Sequence, residues 1–140
     1  MGTAKATIDL NVPPDEVWEL IGGFGSLPEW MPFIRKSSTS NGGRVRQIET
    51  PDGQAIIEQL EKYDLAKRSY SYSILNAPFP VVEYLSTITV ASINSGKGSH
   101  VEWSGTFIPK GVSDDEVRHL FQGIFADGLK ALASRYANRE

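Results

Sequence analysis

Over residues 113–136 apolar side chains recur at helical spacing. Val117, Leu120, Phe121, Ile124, Gly128 and Leu132 follow the i, i+3, i+4 pattern and share one face. Ser113 and Glu116 form a capping box, and Asp114, Asp115 and Glu116 place negative charge at the positive end of the helix dipole. Gly128 sits near the middle of the apolar face. An interior glycine costs about 1 kcal/mol relative to alanine. Either the helix packs closely on a sheet at that point, or the missing volume leaves room for a ligand.

Upstream the period changes. Residues 6–12 alternate, with Ala6, Ile8 and Leu10 against Thr7, Asp9 and Asn11, which predicts a half-buried strand. Pro13-Pro14 stops it, and Pro14 suits the first turn of a helix whose buried stripe is Val17, Trp18 and Ile21. Gly22-Gly23 ends that helix. Ser26 and Glu29 read as a second capping box, opening a very short helix around Trp30. From Phe33 onward the chain predicts strands at 33–40, 44–50, 54–63, 68–75, 82–93 and around 101–107. They are punctuated by Asn41-Gly42-Gly43, Pro51-Asp52-Gly53, a break at 64–67, a proline-bearing loop at 76–80 and a Gly/Ser-rich turn at 94–99. Short connections between consecutive strands imply an antiparallel meander. A curved sheet needs its apolar face covered, and the last helix is the one element long enough to cover it.

Candidate chemistry is sparse. Glu58 stands between Ile56 and Leu60 on a strand face that is otherwise apolar. A buried carboxylate is costly unless it is hydrogen-bonded or paired. It is a functional candidate, a partner for Arg46 on the neighbouring strand, or an exposed residue if the register slips by one. Tyr70 and Tyr72 share a face with Ile74, and Tyr84 shares one with Ser86, Ile88 and Val90. They either pack the core or line a cavity. Trp18, Trp30 and Trp103 default to core packing, with Trp30 the better cavity-wall candidate and Trp103 facing Gly105 as a large/small pair. Phe79, between two prolines, is either an exposed lid or a loop residue folded onto the core. Arg44 and Arg46 read as a basic pair solvating a strand face. His100 and His119 point outward, so neither a metal site nor a nucleophile triad is expected, and no cofactor.

The motifs PPDEVW (13–18), LPEWMP (27–32), EQLEKYD (58–64), RSYSYSI (68–74), YLSTITV (84–90), VEWSGTF (101–107) and Gly128-Leu129 resemble the START-like, helix-grip (SRPBCC) superfamily, in its bacterial polyketide cyclase/dehydrase-like branch. The resemblance implies an α+β helix-grip fold: a curved seven-stranded antiparallel sheet wrapped around a long C-terminal helix, with two short helices after the first strand. It also implies a hydrophobic cavity between sheet and helix. The chain is more distantly similar to the plant abscisic-acid receptors. Carried over position by position, that similarity puts Met31, Phe33, Glu58, Tyr72, Tyr84, Leu120, Ile124 and Gly128 on the cavity wall, with mouth loops near 51–55 and 76–80. The receptors' gate and latch sequences are absent, and Met31 stands where they carry a pocket lysine. With Trp30, Ser86, Trp103 and Phe121 added, these residues form the expected ligand-binding set.

Bulk properties narrow the functions. With 140 residues, 40% apolar and 22% charged, the chain is expected to be one START-like domain, 1–140. A net charge of -3 and a pI near 5.4 argue against a nucleic-acid partner. The absence of Cys rules out disulfides and thiolate metal sites. The first residues lack a signal-peptide core, and no stretch approaches the ~18 apolar residues of a spanning helix. A cytoplasmic protein with no integral membrane segment is expected. Three functions remain: binding of a small hydrophobic ligand (lipid, polyketide or similar), a cyclase/dehydrase-type enzyme with Glu58 as acid/base and Tyr72 and Tyr84 as donors, or a protein-interaction module.

Overall fold

A computed structural model describes residues 2–137, so the two ends of the expected 1–140 domain lie outside the described residues. The elements are β1 (Gly2–Leu10), α1 (Pro14–Ile21), α2 (Leu27–Trp30), β2 (Lys36–Ser40), β3 (Val45–Glu49), β4 (Ala55–Asp64), β5 (Ser69–Asn76), β6 (Val81–Ile93), β7 (Gly98–Pro109) and α3 (Asp114–Arg135). The strands form one seven-stranded antiparallel sheet in the order β1-β7-β6-β5-β4-β3-β2. This is the helix-grip fold. Strands β2 to β7 follow the chain as a meander, and β1 closes onto β7 with Ala6 opposite Trp103.

Period-two alternation set the strand faces. Tyr70 and Tyr72 on β5, Tyr84, Ser86, Ile88 and Val90 on β6, and Val101, Trp103, Gly105 and Phe107 on β7 are all buried. The sheet curls where its register breaks: at two places on β4, and between Val82 and Leu85 on β6, where Glu83 takes φ 51°. Bulges of this kind bend a strand and increase its twist.

Three local expectations shift. β1 begins at Gly2 and ends at Leu10, leaving Val12 to pack in the core beyond the strand. β2 begins at Lys36 rather than Phe33, because the Ile34 N–H closes a turn onto the Met31 carbonyl at 2.9 Å. Ser26 does not cap α2 with its side chain. Its hydroxyl donates backward to the carbonyls of Leu20 and Gly23, at 2.8 and 2.7 Å.

The long helix starts as its cap predicts, with Ser113 Oγ accepting from the Glu116 N–H at 3.1 Å. Its buried stripe is Val117, Phe121, Phe125, Gly128, Leu129 and Leu132. Leu120, expected on that stripe, is 38% exposed. At about 100° per residue, the stripe centres on the side of Phe121, Phe125 and Leu132, which turns Leu120 toward solvent. Helix α3 rests chiefly on β1, with its next contacts on β7. It therefore covers one half of the sheet and leaves the inner face of β3 to β6 to be roofed by its flank and by the segment around α2.

Candidate functional site

Between that flank and the sheet lies a cavity of about 210 Å³. Its floor is built by inward-facing residues of successive strands: Arg46 and Ile48 on β3, Ile56 and Glu58 on β4, Tyr72 and Ile74 on β5, Tyr84 on β6 and Trp103 on β7. The roof is Phe121, Ile124 and Phe125 of α3, with Leu27, Met31, Phe33 and Ile34 from α2 and the turn after it. The mouth opens between Phe33, the Thr50-Pro51 turn and Phe79, which are exposed or half-buried. Phe79 is folded back rather than free, edge-on to Phe121 with ring centroids 5.2 Å apart.

Of the expected set, Met31, Phe33, Glu58, Tyr72, Tyr84, Trp103, Phe121 and Ile124 meet on this wall. Trp30, Ser86, Leu120 and Gly128 do not. Trp30 is buried against Trp103, with ring centroids 5.8 Å apart. Ser86 supports the wall from behind: its hydroxyl accepts from Trp103 Nε1 at 3.1 Å and donates to the Ser104 carbonyl at 2.9 Å. Leu120 faces outward for the helical reason given above. Gly128 resolves to close packing, since a Cβ there would lie 2.6 Å from the Trp103 ring.

On the polar part of the wall the structure selects one of the alternatives left open, Arg46 as the partner of Glu58. Arg46 is not a solvated strand residue; it is 1% exposed. The turn around Asp52 makes residues equidistant from it oppose each other, so Arg46 faces Glu58 across β3 and β4. Arg46 Nε donates to Glu58 Oε1 at 2.7 Å, and Nη2 lies 2.7 Å from the same oxygen. Nη1 donates to the Phe24 carbonyl at 3.0 Å. The Phe24 and Tyr72 rings sit 4.2 and 4.7 Å from the guanidinium carbon. Burial works against the charge on Arg46, but the Glu58 carboxylate and the hydroxyls of Tyr70 and Tyr72 outweigh it, and the guanidinium pKa is raised.

Two phenols complete the wall. Tyr72 accepts a hydrogen bond from Trp103 Nε1 at 3.0 Å, so that one N–H is shared with Ser86. Burial, with the Glu58 carboxylate adding to it, pushes the Tyr72 phenol up. Burial, with Tyr72 next, does the same to Tyr84. Both stay protonated across the physiological range. The wall is thus mostly aliphatic and aromatic, with one internal ion pair and two neutral phenols. Apolar walls with a few placed polar groups are the general character of ligand pockets. Among the described residues no group of three or more His, Asp or Glu side chains converges as a metal site, and no helix is long and apolar enough to cross a membrane.

Sequence reasoning missed Leu27, Ile34, Ile48, Ile56 and Phe125 as wall residues, and left Arg46 open between a solvated strand face and a partner for Glu58. The signal for Arg46 was present, because Ile48 two residues on shares its face and the Asp52 turn fixes its partner. Phe125 was also within reach, since it follows Phe121 by one helical turn.

Comparison with known proteins agrees with this architecture. The structure of XoxI from Bacillus cereus is 50% identical, superposes with a TM-score of 0.95, and the match covers 98% of this chain and 96% of that one. MLP-like protein 423 of Arabidopsis thaliana is 27% identical over 119 residues, 76% of each protein. A START superfamily protein from Mycobacterium smegmatis shares the fold alone, at 13% identity and a TM-score of 0.80, with 100% of both chains covered. The model of one family, described as polyketide cyclase / dehydrase and lipid transport, matches residues 1–137. With that match over nearly its whole length, a START-like sheet and the long helix gripped by it, the chain belongs to the polyketide cyclase/dehydrase and lipid transport family.

Proposed function

We propose that the protein binds a small apolar molecule in the cavity between α3 and strands β3 to β7, in a cytoplasmic setting. The observation that carries this reading is the apolar hollow of about 210 Å³ with a mouth at Phe33, Pro51 and Phe79. A family described by lipid transport as well as by cyclisation supports it. An engineered cavity of about 150 Å³ admits benzene, so this one suits one or two fused rings, or a short branched chain. The acid/base role considered for Glu58 requires a carboxyl free to exchange protons with a guest. The ion pair with Arg46, in which Nε donates to Oε1 and Nη2 lies 2.7 Å from the same oxygen, argues instead for a structural and orienting role.

The test is a titration of ¹⁵N-labelled protein with one- and two-ring aromatic compounds and medium-chain alcohols. Shifts are expected to centre on the Trp103 indole N–H and the amides of Glu58, Tyr72, Tyr84 and Phe121. A guest at about a hundred times its Kd stabilises the fold by about 2.7 kcal/mol. A panel that moves neither these resonances nor the unfolding midpoint rejects the reading.

A further inference from the structure

We propose that the cavity selects by charge, taking uncharged guests that carry a hydrogen-bond donor and rejecting anionic ones. This rests on the ligand-binding reading above. Arg46 and Glu58 are the charged residues of the cavity wall, and both are buried. A lone buried guanidinium would make the cavity an anion site. This one has its charge answered. Its Nε and Nη2 go to Glu58, its Nη1 to the Phe24 carbonyl, and two aromatic rings lie against it. An anion would have to compete with Glu58 and a peptide carbonyl for it.

The carboxylate is not symmetrical. Both Arg46 contacts fall on Oε1, and Oε2 receives no hydrogen bond from the described residues. Glu58 lines the cavity, so the charged group left to a guest is an acceptor with a negative charge behind it. A guest hydroxyl or N–H satisfies that oxygen. A guest carboxylate meets a like charge and loses its hydration with no unpaired cation to answer it, in a site where aromatic and aliphatic walls keep the dielectric low. The phenols of Tyr72 and Tyr84 stay neutral, so they add no positive charge to draw an anion in.

Three probes of one ring system separate the possibilities at pH 7.5: 2-naphthol, 2-naphthoate and 2-methoxynaphthalene. For the wild-type chain, 2-naphthol is expected to bind at least about tenfold more tightly than 2-naphthoate, and more tightly than 2-methoxynaphthalene, which lacks the donor. Glu58→Gln keeps the shape and removes the opposing charge. In that variant the preference should move toward 2-naphthoate by at least about tenfold. Wild-type protein that binds 2-naphthoate as well as 2-naphthol overturns the proposal and leaves the ligand-binding reading standing. Tighter binding of 2-methoxynaphthalene overturns the donor requirement. If none of the three binds, the cavity reading itself fails. Should Glu58→Gln not fold, the wild-type ratios decide alone.

Discussion

Replacing Gly128 by alanine tests how α3 is seated. An alanine Cβ would lie 2.6 Å from Trp103 Cζ3, 3.2 Å from Met31 Cε and 3.4 Å from Met31 Sδ. Carbon atoms in good contact stand about 3.5–4.0 Å apart, so the overlap with the indole is about 1 Å. Met31 has a flexible end and gives way. The indole does not. It is stacked on Phe125 with ring centroids 4.9 Å apart and 24° between planes, and its Nε1 is held by Tyr72 and Ser86. Overpacking of this kind costs about 1–3 kcal/mol. The helix-propensity gain from Gly to Ala returns about 1 kcal/mol, leaving a net loss of about 1 kcal/mol. Gly123 is the internal control, because it lies on the exposed side of the same helix and a Cβ there meets nothing within 4 Å. Gly123→Ala keeps the propensity gain of about 1 kcal/mol. The two variants should therefore differ by about 2 kcal/mol, or very roughly 8 °C in Tm for a chain of this size. Urea unfolding followed by tryptophan fluorescence reads the difference, with the m-value unchanged. If Gly128→Ala is as stable as Gly123→Ala, α3 does not approach Trp103 as described, and the room at Gly128 belongs to something else.

Two further outcomes follow from the buried polar groups. The Tyr72 and Tyr84 phenols have pKa values raised by folding, so the folded protein retains protons that the unfolded chain releases above about pH 10. Their contribution to stability is full below that pH and falls above it, by up to about 1.4 kcal/mol per pH unit for each group. Tyr72→Phe should make the decline measured by urea unfolding between pH 10 and 11.5 shallower by up to that amount, and an unchanged slope would show that Tyr72 is not buried. The Arg46–Glu58 pair should be strongly non-additive. Arg46→Met or Glu58→Leu alone leaves a buried charge unpaired and costs about 3–5 kcal/mol, whereas the double variant costs far less than the sum. A double-mutant cycle whose single losses simply add would show that the two charges do not depend on each other.

The long helix was legible because its signals are local: Ser113 caps it and apolar positions at helical spacing run from Val117 through Phe121 to Gly128 and Leu132. The strand faces were legible for the same reason, since alternation in RSYSYSI and VEWSGTF already separates the core from the solvent side. What local pattern does not contain is where across the sheet the helix lies. That is decided by β1, which closes onto β7 from the far end of the chain and gives α3 its seat. Gly128 then acts in the opposite sense to the more inviting of its two readings. Its missing side chain lets α3 settle against Trp103 on β7, and because the helix settles there, it cannot also cover β3 to β5. The hollow therefore appears beside the stripe, along the flank of Phe121, Ile124 and Phe125, and not at the glycine. Arg46 follows the same logic. Taken alone in the sequence it is one cation of a surface pair, but a strand facing that hollow admits a cation only with its charge answered, and the residue opposite it is Glu58. The ion pair and the cavity are thus two consequences of one displacement of the helix across the sheet.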